Sequence, residues 1–153
     1  MTNDKILVYG IGNPGRQDDG LGPALIEMLG SAGLAGVDLD SNYQLNIEDA
    51  LALSTHGTVI FVDASETADE PFSFLALESS RDIAFTTHEL SPAAVLALCE
   101  ELYGKPPLAW TLAIRGYSWD LGEGLSPRAD INLSAALAFM VAWLKERETS
   151  ETH

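Results

Sequence analysis

Three places in this chain carry side chains able to hold a metal ion or move a proton: the adjacent pair Asp18-Asp19, then Asp63, then His88. Two carboxylates and one imidazole suit a divalent transition ion such as nickel or zinc, with water or a partner's ligand completing the shell. The three places lie far apart in sequence, so only a fold can bring them together. Residue types alone leave a plainer alternative open, with Asp19 as a helix cap, Asp63 as a strand-end turn residue and His88 as a histidine of a capping region. Asp18 reads as a cap or as support for its neighbour. His56, beside Gly57, and His153, in the tail, read as solvated.

Positioning these groups falls to alternating strands and helices. An apolar run, Lys5-Ile6-Leu7-Val8-Tyr9, leads into Gly10–Gly22, GIGNPGRQDDGLG, a strand-to-helix turn whose glycines permit sharp bends and whose Asn13 fixes the turn. The helix that follows has Pro23 in its first turn, Leu21, Leu25, Met28 and Leu29 on one face, and Gly30-Ser31 at its end. Val37 to Asp40 alternates as a short strand, and Asn46 opens a second helix carrying Ile47, Ala50, Leu51 and Leu53. Thr58 to Val62 is β-branched and apolar, as a strand buried on both faces should be, and it ends at Asp63. Phe72 to Leu77 reads as a strand and Ile83 to Thr87 as a further candidate, their pairing left open.

Ser91-Pro92 is a helix start, and Val95, Leu98, Cys99 and Leu102 then form one apolar stripe, which gives Cys99 a packing role. Leu108 to Ile114 is the last strand. A loop rich in Gly and Trp, 115–128, leads to a helix with Leu133, Leu137, Met140 and Leu144 facing inward. The pattern predicts an α/β fold in three layers: a twisted, mostly parallel sheet of about five strands with helices on both faces. One domain, 1–146, is expected, with a polar tail at 147–153. In such sheets ligands bind beyond the carboxyl ends of the strands, where all three candidate places fall.

Composition narrows the partners. The 153 residues hold 8 Lys plus Arg against 23 Asp plus Glu, a net charge of −15, which argues against nucleic acid because phosphate neutralisation needs basic side chains. No apolar run approaches the roughly 20 residues that span a bilayer. A single cysteine excludes an internal disulfide and a thiolate metal cluster. The N-terminus lacks the basic, apolar, small-residue order of a signal peptide, so a cytoplasmic location and no membrane contact are expected.

Gly10 to Gly15 satisfies GxGxxG after a strand, with Asp38 or Asp40 placed for a ribose, but Pro14 removes a backbone donor and Asp18-Asp19 would crowd a pyrophosphate with two anions. GNPG also resembles the opening of bacterial peptidyl-tRNA hydrolases. That match covers about six residues, and the histidine segment that follows it in those enzymes is missing here. A broader resemblance uses what these two ignore. Gly10-Ile11-Gly12-Asn13 with Asp18-Asp19-Gly20-Leu21-Gly22 resembles the signature of the hydrogenase maturation proteases. The likeness continues through Tyr43-Gln44-Leu45, Val62-Asp63-Ala64, Thr87-His88-Glu89-Leu90-Ser91-Pro92 and Gly124-Leu125-Ser126-Pro127.

The resemblance implies an α/β three-layer sandwich, phosphorylase/hydrolase-like, and an endopeptidase that trims the C-terminal extension of a [NiFe]-hydrogenase large-subunit precursor. Nickel already inserted in the precursor would serve for recognition, and whether the free enzyme also holds metal is left open. Asp19, Asp63 and His88 match the family's metal-contacting and catalytic positions; some members carry Glu where this chain has Asp19. No Ser-His-Asp, Cys-His or HExxH arrangement is evident, so Asp19 and Asp63 would act at the metal or as general base for water, with His88 binding metal or orienting a carboxylate. A non-catalytic, metal-sensing binder of the large subunit is the other reading. A monomer is the expected form.

Overall fold

The computed structural model describes residues 5–79 and 90–150. Five strands, β1 (Ile6–Ile11), β2 (Val37–Asn42), β3 (Thr58–Ser65), β4 (Phe72–Leu77) and β5 (Leu108–Arg115), form one sheet in the order β2-β1-β3-β5-β4. All neighbours are parallel except β4, which runs antiparallel to β5 at the edge. The α/β architecture expected from the sequence is the one observed, and the pairing left open for Phe72–Leu77 is with β5. The Ile83 to Thr87 candidate strand lies outside the described residues.

Side chains alternate across the strands with a period of two, so each central strand feeds two cores. Ile6 and Val8, Ile60 and Val62, and Leu112 and Ile114 face α1 (Leu21–Gly30) and α4 (Pro127–Ser150). Leu7 and Tyr9, Val59 and Phe61, and Ala109 face α2 (Asp49–Ser54) and α3 (Pro92–Tyr103). Burial on both faces is why the runs in β1 and β3 are continuously apolar. Phe74 stacks on Trp110 at 4.8 Å and meets Phe139 and Trp143 edge-on, tying α4 to β4 and β5.

Several stripe positions differ from the periodicity. Met28, Ile47, Leu51 and Leu102 are exposed. Ile47 precedes the short α2, which buries only Ala50 and Leu53. On α3 the buried face is Ala94, Val95, Leu96, Ala97 and Cys99, because this helix packs against α2 as well as the sheet. His56 is not solvated: its side chain is 9% exposed, Nε2 pairs with Asp38 at 2.7 Å and Nδ1 lies 2.7 Å from the Ala52 carbonyl, fastening the end of α2 to the β2 edge. Helix α4 continues to Ser150, past position 147, with the Arg147 guanidinium 3.5 Å over the Trp143 ring.

Candidate functional site

The chain leaves β1 for β2 on one side and, later, reaches β3 on the other, so the gap between the carboxyl ends of β1 and β3 is a topological switch point. Two close approaches bring the turn after β1 onto it. A Cβ on Gly12 would fall 1.9 Å from the Asp19 carbonyl oxygen, and the residue's φ of 145° also favours glycine. A Cβ on Gly22 would sit 2.6 Å from the carbonyl oxygens of both Ile11 and Val62. Only bare backbone at these positions lets a 3-10 turn, Gln17–Gly20, and the start of α1 press against both strand ends.

Asp19 leaves that turn partly buried, and its Oδ2 accepts the Asn13 N–H at 2.8 Å. Asn13 in turn accepts the Gly15 N–H on Oδ1 at 2.9 Å, so its part in fixing the turn is as expected. Neither Asp18 nor Asp19 caps α1: the N-cap is Gly20, with no side-chain capping bond. One Asp19 oxygen is therefore committed to holding the carboxylate still, which leaves the other for a ligand or a proton.

Asp63 stands in β3 one residue beyond Val62, the partner of Gly10 in the β1 register. Its Oδ1 accepts the Ala64 N–H at 2.9 Å. Asp63 lines a cavity of about 260 Å³ together with Ile11, Tyr43, Leu45, Leu90, Ser91 and neighbours. An antiparallel bridge between Leu45 and Leu90 braces the cavity, and Ser91 caps α3 beside it by accepting the Ala94 N–H at 3.1 Å. His88 lies outside the described residues, two positions before Leu90. Among the described residues no group of three or more His, Cys, Asp or Glu side chains is arranged to hold a metal ion. Asp19, in the 3-10 turn after β1, and Asp63, in the adjacent strand β3, thus flank one switch point and supply oxygen donors of the kind a divalent cation or a water nucleophile requires.

Asp18 is the surprise of the site. It is 0% exposed and accepts four hydrogen bonds, all from residues about a hundred positions away. Oδ2 takes the Tyr117 N–H at 2.7 Å, the Ser118 N–H at 2.9 Å and the Ser126 hydroxyl at 2.7 Å, and Oδ1 takes the Ser126 N–H at 2.7 Å. Burial pushes the Asp18 carboxyl up, but the bonds from Ser126, Tyr117 and Ser118 outweigh it and hold the group below the usual carboxylate range. The donating loop is itself anchored. Asn132 donates to the Arg115 carbonyl at 3.1 Å and to the Tyr117 hydroxyl at 2.9 Å, Tyr117 donates to Glu70, and Arg128 covers the Tyr117 ring at 4.4 Å. Three of the four donors to Asp18 are backbone N–H groups, which no residue type advertises; Ser126, within Gly124-Leu125-Ser126-Pro127, was the one readable sign.

No protein-family model and no curated protein matches the chain. Solved structures do. The chain is 25% identical to the hydrogenase 2 maturation peptidase of a Thaumarchaeota archaeon, with 92% of this chain and 98% of that one covered at a TM-score of 0.67. It shares its fold with the hydrogenase maturating endopeptidase HybD from E. coli, at 22% identity, 93% coverage of each chain and a TM-score of 0.72. It does so equally with the [NiFe] hydrogenase maturation protease HycI from Thermococcus kodakarensis, at 22% identity, 94% coverage of each and a TM-score of 0.74. The chain is thus similar in fold to solved hydrogenase maturation proteases, and to one of them at 25% sequence identity.

Proposed function

We propose that the chain is a processing endopeptidase that removes the C-terminal extension of a [NiFe]-hydrogenase large-subunit precursor after nickel insertion. The observation that carries this reading is the pair formed by Asp19, in the turn after β1, and Asp63, towards the carboxyl end of the adjacent strand β3, in a fold shared with solved maturation peptidases. In this reading the precursor's nickel arrives as part of the substrate and meets Asp19 and Asp63, with His88 as the imidazole partner. A carboxylate held by a backbone N–H, as Asp19 is by Asn13, keeps its orientation without spending both oxygens. Whichever of the two carboxylates does not bind the metal takes a proton from the attacking water and passes it to the amine nitrogen as the peptide C–N bond breaks, tasks that need hydrogen-bond reach. The cavity beside Asp63, apolar on the Ile11 and Leu45 side and polar at Ser91, receives the extended segment next to the cut.

The test is to incubate the protein with nickel-loaded and nickel-free precursor and follow mass. Shortening of the loaded form alone is the expected result. If neither precursor shortens, the peptidase reading fails and the non-catalytic binder takes its place; if both shorten equally, nickel is not the checkpoint. Asp19→Asn, Asp63→Asn and His88→Ala should each lower processing by at least about a hundredfold while circular dichroism stays native. Full activity in all three would remove the proposed site.

A further inference from the structure

Asp18 has no ligand role open to it, because its two oxygens are enclosed and fully engaged, yet it is covalent neighbour to Asp19. Its four bonds do not stand alone. The Gly122 N–H donates to the Gly15 carbonyl at 2.8 Å, the Gln17 N–H to the Gly122 carbonyl at 2.8 Å, and the Asp18 N–H to the Ser118 carbonyl at 2.9 Å. The turn from residue 15 to 18 is thereby laced to the loop 116–126 on its backbone, with the Asp18 side chain at the centre of the lacing. Gly116 fits the same contact, since a Cβ there would lie 2.9 Å from the Asp18 Cβ. On the other side of the turn the Asn13 N–H is the one hydrogen-bond donor to the Asp19 carboxylate among the described residues.

We propose that Asp18 is a positioning residue for the reaction: by holding the loop 116–126 against the turn it fixes the backbone of Asp19, and so the aim of the Asp19 carboxylate at the switch point. The catalytic part of this inference rests on the peptidase reading; the mechanical part does not. Asn in place of Asp18 keeps one acceptor but turns an N–H₂ toward a donor, and Ala removes every acceptor, leaving backbone N–H groups of 117, 118 and 126 buried without partners. Ser126→Ala is the milder change, deleting one of the four bonds to Asp18 and the longer 3.4 Å bond that the hydroxyl accepts from the Ala129 N–H at the start of α4.

Two measurements decide it. Amide hydrogen exchange, read residue by residue in Asp18→Asn and Ser126→Ala, should show the Asn13 amide losing protection together with Tyr117 and Ser118, by about tenfold or more in Asp18→Asn and less in Ser126→Ala, while Val62 in β3 keeps its own. Processing of nickel-loaded precursor, normalised to folded protein, should show kcat reduced about ten- to a hundredfold with KM within twofold, as a small misplacement of a reacting group does. Asn13 protection at the wild-type level in both variants would overturn the coupling. So would a kcat per folded molecule within twofold of wild type, which is what a purely structural Asp18 gives. Should the wild-type protein shorten no precursor, the peptidase reading falls, and the exchange experiment alone still settles whether Asp18 holds Asp19.

Discussion

Two glycines of the same helix should respond to alanine with opposite signs. At Gly22, in the first turn of α1, the new methyl would lie 2.6 Å from two carbonyl oxygens and 2.9 Å from the Ile11 nitrogen, all backbone. Carbon does not approach closer than 3.0 Å, so the helix start must part from the ends of β1 and β3 by at least 0.4 Å. Overpacking against atoms that cannot rotate away costs about 2–3 kcal/mol, and alanine's better helix propensity returns about 1, so Gly22→Ala should lose about 1–2 kcal/mol. At Gly30, the last residue of α1, the nearest atom to the new methyl is a Leu39 side-chain carbon at 3.9 Å, an ordinary contact. Gly30→Ala should therefore gain up to about 1 kcal/mol. Urea unfolding gives both values, read as shifts in midpoint at constant slope. Because the Gly22 displacement occurs beside Asp19, processing by that variant should also fall about three- to tenfold. A Gly22→Ala protein as stable and as active as wild type would refute the claim that the turn is pressed onto the strand ends.

Other outcomes follow from the same geometry. Since Asp18 titrates below an unfolded aspartate, its contribution is fully present above roughly pH 4 and is lost as pH falls through the folded value; stability of wild type should drop more steeply than that of Asp18→Asn below about pH 5, and parallel curves would contradict this. Burial pushes the Cys99 thiol up and hides it, so a thiol reagent at neutral pH should label the protein only at the rate of unfolding, and immediate labelling would disprove the placement. Phe74→Ala removes the ring that meets Trp110, Phe139 and Trp143, and should cost about 3–4 kcal/mol and much of the near-ultraviolet dichroism, with a change under about 1 kcal/mol counting against the cluster.

How much of this was legible in the sequence depends on the range of the interaction. The runs at β1 and β3 announced themselves because burial on both faces leaves their centres without a polar residue, and Ser91-Pro92 marked the start of α3 to the residue. The stripes of α2 and α3 were read less well, since periodicity names a face but not how far the neighbouring layer extends over it; Leu51 and Leu102 lie beyond that layer. The His56 contact joins residues 18 apart through a carboxylate on an exposed strand, a pairing no local pattern contains. Asp19 and Asp63 were identifiable as strand-end acids, whereas the task of Asp18 was hidden because its partners are mostly peptide groups supplied by the far end of the chain.

That distance has a consequence for how the protein comes into being. The bonds closing on Asp18 span 99 to 108 residues, and Ser126 lies just before the last helix. A chain growing from its N-terminus has made the turn bearing Asp19 long before it has made the loop that steadies it. Nascent chains, and fragments truncated ahead of residue 126, would thus carry the Asp19 carboxylate without the loop that holds its turn. On the peptidase reading, a chain assembled in this order stays unarmed until its own synthesis is nearly complete, and two separately produced pieces divided after the exposed Glu78 should regain the lacing only when they find each other.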